Sequence, residues 1–177
     1  IISLIFPQLT KLDIFNNLND YSKKIVEEKD FIFLISLMVI DGTDNDEYFI
    51  YKYNISNTDK KRIRFLTNSF YKNLSKDIFN EKNLWKIFYL EGKNHLNDLI
   101  NFKLFQNKKL DKKIIKLKEF FQTKEVPKFE IKAKTLIEKY NYKEGKELGN
   151  KLKEIEEFWI ENSFKISDQD IDKIVKN

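Results

Sequence analysis

Two glycines four residues apart open the run Gly145-Lys146-Glu147-Leu148-Gly149, in a chain that has only four glycines. Gly145 can take the positive φ that a tight helix entry requires. Gly149, one turn further on, lacks the Cβ that keeps another backbone or a ligand at a distance. The unpaired amides of a first helical turn, together with the helix dipole, attract anions. Lys146, Asn150 and Lys153 share the polar side of this helix, opposite Leu148, Leu152, Ile155 and Trp159. The chemistry such a group performs is phosphate binding. A helix packed closely over Gly149 is the alternative use of the same glycines.

A second basic group lies earlier. Lys103 to Lys118 holds seven lysines and one acid. Leu110, Ile114, Leu117 and Phe121 recur at helical spacing. That leaves Lys109, Lys112, Lys113 and Lys116 on the other side, with Lys108 just before them. Lysines at this density can follow a phosphate backbone. The interleaved Phe102, Phe105 and Phe120 are spaced for packing, whereas base stacking needs exposed rings. Lys60-Lys61-Arg62 and Arg64 form a further basic group containing the only two arginines, another candidate for phosphate binding that also reads as a solvated helix face.

Catalytic chemistry is harder to find. Polymerases hold Mg²⁺ with closely spaced carboxylates, and Asp44-Asn45-Asp46 has that spacing. It lacks the glycine-rich turn and flanking apolar strands that fix both carboxylates beside a nucleotide, so it reads as a solvated acidic loop. Asp168 and Asp170 fall in the first turn of a helix, where acids favour the positive end of the dipole. His95 is the only histidine, and cysteine is absent. No histidine cluster, thiolate site or disulfide is available, and a reducing cytosol is the expected compartment. No nucleophile–base pair or phosphate loop can be picked out.

The elements that must position these residues follow from composition and pattern. The 177 residues include sixteen Phe, eight Tyr and only two Pro, enough apolar material for a core with few breaks. No β alternation is sustained, so the fold is expected to be all-α: a helical body over 1–125 and a smaller helical tail over 126–177, hinged at Val126-Pro127. Helices are expected over 10–28, 30–40, 47–53, from a Ser56 cap to about Leu74, over 80–91 and 93–105 either side of Gly92, from Leu110, over 132–140, from Gly145, and last after a Ser167–Asp170 capping pair. The apolar run Phe31–Ile40 is too short to cross a bilayer, so no membrane is expected. The formal charge of +5 divides into −5 over residues 1–50 and +10 over 51–177. That asymmetry points to a polyanion on the later part. The 31 lysines beside abundant Asn, Ile and Phe equally fit a compositional bias that loads every surface with lysine.

Beyond these patterns lies a resemblance. Val126-Pro127-Lys128-Phe129-Glu130-Ile131-Lys132, Ala133-Lys134-Thr135-Leu136, the glycine run 145–149, Leu152, Glu156-Glu157-Phe158-Trp159-Ile160 and Phe164 follow one another in order and spacing. This stretch resembles the C-terminal end of the bacterial CCA-adding tRNA nucleotidyltransferases and their poly(A) polymerase relatives. Ala133 stands where the family has a glycine, and Lys146 where it has a proline. More loosely, Ile5-Phe6-Pro7-Gln8-Leu9 looks like the entry to that family's helical body, and Asn54-Ile55-Ser56-Asn57 like its loop before a basic helix.

The resemblance implies that nucleotidyl transfer, with its Mg²⁺ and CTP or ATP, belongs to an N-terminal head whose motifs do not occur in this sequence. The start at Ile1, without methionine, agrees with a missing upstream part. Body and tail alone are expected to need no cofactor and to catalyse nothing. They should hold the acceptor–TΨC limb of tRNA for a head in the intact cytoplasmic protein. The candidate RNA-binding residues are Lys108, Lys109, Lys112, Lys113, Lys116, Lys132, Lys134, Gly145, Lys146, Gly149, Asn150 and Lys153. Three readings compete: the same region of a poly(A) polymerase, a non-catalytic helical protein-interaction module, and an independent enzyme whose carboxylates converge only on folding.

Overall fold

A computed structural model describes residues 4, 6–16, 18–72, 78–106 and 110–176, with the backbone alone at 70 and 72. Nine α-helices and no strand occur among the described residues, so the fold is all-α. None of these helices is long and apolar enough to cross a membrane. The chain divides into two compact units, Ile1–Lys124 and Glu125–Asn177.

The first unit carries α1 (Asp20–Glu28), α2 (Phe31–Val39), α3 (Asn45–Lys52), α4 (Asn57–Thr67), α5 (Glu81–Gln106) and α6 (Lys112–Gln122). Side chains start five of these helices by accepting orphan amides, among them Asn80, which takes the Asn83 amide at 2.9 Å before α5. Asn19 takes the Ser22 amide at 2.9 Å, Asp30 the Phe33 amide at 3.0 Å, Ser56 the Asp59 amide at 3.2 Å, and Asp111 the Lys113 amide at 2.9 Å. α2 packs against α3, α4 and α5. Enclosure on several sides explains why it is apolar almost all round, with Phe33, Leu37 and Val39 wholly buried. α5 turns at Gly92, whose φ of +83° breaks the helical backbone. A side chain at that φ is strained, so glycine is needed there even though a Cβ would meet nothing within 4 Å. α6 packs on α5, with the Phe121 ring 5.1 and 5.5 Å from those of Trp85 and Phe88 and sharing one core with Leu96, Ile100 and Ile114.

Two expected helices differ in extent. Residues 10–28 contain a 3₁₀ turn at Leu12–Phe15, and an α-helix begins only at Asp20. Asn16 and Asn19 flank that break, and asparagine side chains compete with helical backbone bonds. The helix from Ser56 ends at Thr67 and passes into a π turn over Asn68–Lys72, while Leu74 lies outside the described residues.

The second unit holds α7 (Ala133–Tyr140), α8 (Lys146–Glu161) and α9 (Asp168–Lys176) around Leu136, Leu148, Ile155 and Ile171. α7 stops where Asn141 turns left-handed at φ +58°. α9 starts with a reciprocal box, in which the Asp170 amide donates to Ser167 Oγ and the Ser167 amide to the Asp170 carboxylate. Trp159 packs between Phe129 and Phe164, with ring centroids 5.3 and 4.9 Å away.

Candidate nucleic-acid interface

The lysine face of the first unit is set by α6. Ile114 and Phe121 are buried against α5, and the 100° advance per residue turns Lys112, Lys113 and Lys116 outward, where all three are exposed. No carboxylate among the described residues pairs with them. Asp111, adjacent to Lys112 in the chain, accepts the backbone amides of Lys113 and Ile114. Lys112 and Lys113 occupy the first turn of α6. A cation there opposes the helix dipole, at a cost of about 0.3–1 kcal/mol each. Stability alone therefore disfavours lysine at these two positions. Lys108 and Lys109 lie outside the described residues.

In the second unit, the start of α8 is open. Gly145 is its N-cap at φ +151°, and no side chain caps the helix. The Gly149 amide donates to the Gly145 carbonyl at 3.2 Å. The amides of Lys146, Glu147 and Leu148 precede that bond and are not used by the helical ladder. Residues 143–147, 149 and 150 are exposed, so this turn is not sealed in the interior. A Cβ on Gly149 would meet nothing within 4 Å, so no helix packs closely over it and that explanation of the glycine falls away. Among the side chains of the turn, Lys143 and Lys146 are matched by Glu144 and Glu147. Positive potential here therefore comes from the helix end rather than from an excess of lysine.

The remaining candidates in this unit are surface groups. Lys132 is exposed at the N-cap of α7. Lys134 and Lys153 make one-turn pairs with Glu138 and Glu157 at 3.5 and 3.7 Å. All four side chains are exposed, and such pairs hold little energy, so either lysine can exchange its partner for phosphate. Asn150 is exposed one residue beyond Gly149.

The arginines behave differently from the solvated face expected of them. Arg62 Nε donates to Asp98 at 2.6 Å, its Nη1 donates to Asp30 at 2.7 Å, and Lys29 reaches Asp98 from the other side at 2.6 Å. Asp98 is only 2% exposed and is held by two cations. Burial pushes the Asp30 carboxyl up, but its bonds to the Phe33 amide and Arg62 outweigh that and hold it below the usual range. Arg64 makes two 2.7 Å bonds to Glu47. Both arginines thus join helices within the unit. One signal was present in the sequence: Asp98 sits among Leu96, Leu99, Ile100 and Phe102, where a buried carboxylate needs partners.

The Asp44–Asp46 pair also departs from a solvated loop. Asp46 is 2% exposed and accepts the Thr67 hydroxyl at 2.6 Å, while Asp44 is exposed. Asn45 between them donates to the Gln8 and Val39 carbonyls at 2.7 and 2.9 Å. These residues anchor the first turn of α3, and the two carboxylates do not converge. Among the described residues no three His, Cys, Asp or Glu side chains are grouped to hold a metal ion. His95 Nδ1 lies 2.9 Å from the Glu91 carbonyl, with the ring edge-on to Phe65. Phe102 and Phe105 are core residues, and Phe120 packs on Trp85.

Compared with protein-family models, with curated proteins and with solved structures, the chain finds no significant match.

Proposed function

We propose that this chain is the RNA-holding part of a CCA-adding tRNA nucleotidyltransferase, gripping the acceptor–TΨC limb while a separate catalytic head extends the 3′ end. The observation that carries the reading is the first turn of α6, where Lys112 and Lys113 stand exposed and unpaired against the helix dipole. Residues kept against local stability mark sites that serve something else. The open start of α8 supports it with amides and a bare Gly149 backbone to which a phosphate oxygen has access.

The mechanism is positional. Ammonium groups and backbone amides recognise phosphates and carry no base information, so the grip reads the shape of the RNA helix and not its sequence. Chemistry on the 3′ end, with Mg²⁺ and CTP or ATP, is assigned to the head. Footprinting on a transcript of tRNA tests this: backbone protection should concentrate on the acceptor and TΨC arms. Protection confined to the anticodon arm, or spread evenly, overturns it.

A further inference from the structure

Lys118 stands apart from the other lysines of α6. It is 8% exposed, and its ammonium lies 5.3 Å from the centroid of the Tyr21 ring on α1. Among the described residues it has no hydrogen-bonding or ion-pair partner. Its apolar stem is covered, while the ammonium is not among the buried unpartnered atoms and so keeps access to solvent. Lys118 also lines a cleft of about 210 Å³ between the second half of α5 and α6. The other polar groups of the cleft are Lys93, Asn94, Asn97 and Gln122, and no carboxylate lines it. Lys93 is tied in place by donating to the Gln122 carbonyl at 2.6 Å. Two lysines and three residues with side-chain amides therefore line one small volume to which no carboxylate contributes.

We infer that this cleft is an oxyanion subsite that takes a single phosphate, with Lys118 and Lys93 supplying charge and the Asn94 and Asn97 amides orienting it. The volume admits a phosphate with part of an attached sugar and excludes a double helix, so the ligand is one projecting group. Burial pushes the Lys118 ammonium down, Glu28 of α1 opposes that, and Lys29 adds to it. Tyr21 beside it is itself held above its usual range by burial, with Glu119 and Glu28 adding to the effect. An anion in the cleft adds to the counter-charge that Glu28 gives Lys118 and offsets Lys29. The inference stands apart from the tRNA reading, because a chain that fails to bind tRNA can still hold phosphate here.

Inorganic phosphate is the probe, titrated into the whole chain while the side-chain amide NMR signals of Asn94, Asn97 and Gln122 are followed. These signals should shift saturably. Lys118→Met keeps an unbranched apolar stem, removes the charge, and should weaken phosphate at least tenfold. Lys93→Gln, at the exposed rim, should weaken it as well and guards against a folding defect at position 118. Titration with tRNA then separates the sources. If an RNA phosphate fills the cleft, tRNA moves the same signals and Lys118→Met lowers the salt slope by roughly 0.7–0.9. If the ligand is the free anion, phosphate alone moves them. Signals that stay still under phosphate, or shift equally in both variants and the wild type, overturn the inference.

Discussion

The double variant Lys112→Glu, Lys113→Glu separates stability from binding in a single protein. Both lysines sit exposed in the first turn of α6, beside an Asp111 carboxylate already bonded to two amides. Each replacement removes a cation from the positive end of the helix and sets an anion there. For exposed groups the dipole effect is at the low end, about 0.3 kcal/mol for each charge moved, so the pair is worth roughly 1 kcal/mol of added stability. Repulsion from Asp111 keeps the gain from rising further. For a unit of this size that corresponds to a rise in Tm of about 3–5 °C. RNA binding should move the other way. With two fewer phosphates neutralised, the slope of log affinity against log salt falls by about 1.4–1.8. The advantage of wild type over variant should therefore shrink by about 7- to 12-fold between 50 and 200 mM salt. Calorimetric melting and a fluorescence titration with tRNA measure the two effects. A fall in Tm would show that the lysines support the fold. A rise in Tm with unchanged tRNA affinity would show that they oppose the dipole for some other reason.

Other consequences follow from the same structure. Asp98→Ala leaves Lys29 and Arg62 without their shared carboxylate, and with both cations 14–20% exposed the loss should be about 3 kcal/mol by denaturant unfolding. Arg64→Ala, which breaks a half-exposed pair with Glu47, should leave the same curve in place. Asp30 and Asp41 both have carboxyls held below their ordinary value, because hydrogen bonds outweigh the upward push of burial. Their contribution is thus fully present above the unfolded-state value of about 3.9 and is lost as pH falls through the lower folded values. Acid unfolding of the first unit should begin below about pH 4, and Asp30→Asn should flatten that limb. Gly149→Ala meets open space within a helix, so it should stabilise α8 by about 1 kcal/mol. The same change should weaken tRNA binding if the bare backbone receives a phosphate, and unaltered binding would make that glycine incidental.

Local chemistry was legible from the residues alone. Ser56 and the Ser167–Asp170 pair cap the helices they announce, Gly92 breaks a long helix, and the Ile114–Phe121 spacing turns the correct face of α6 inward. The misreadings came from partners far apart in the chain. Arg62 and Asp98 are 36 residues apart, and Asp46 and Thr67 are 21 apart. Nothing in a local window shows that a basic run is spent on a buried carboxylate, or that one of two neighbouring aspartates turns inward. Lys118 illustrates the same limit. The other lysines of α6 are solvated, and only the approach of α1 and α5 makes this one different. The open space over Gly149 is likewise a property of what fails to pack there.

The affinity of the intact chain for tRNA, measured from 50 to 200 mM salt, bears most directly on the whole account. Three exposed lysines on α6 alone predict a slope of log affinity against log salt of at least about −2, a loss of roughly 20- to 40-fold over that range. Binding that hardly changes with salt, or no binding at 50 mM, contradicts a phosphate grip and leaves the lysine-rich face as ordinary solvated surface.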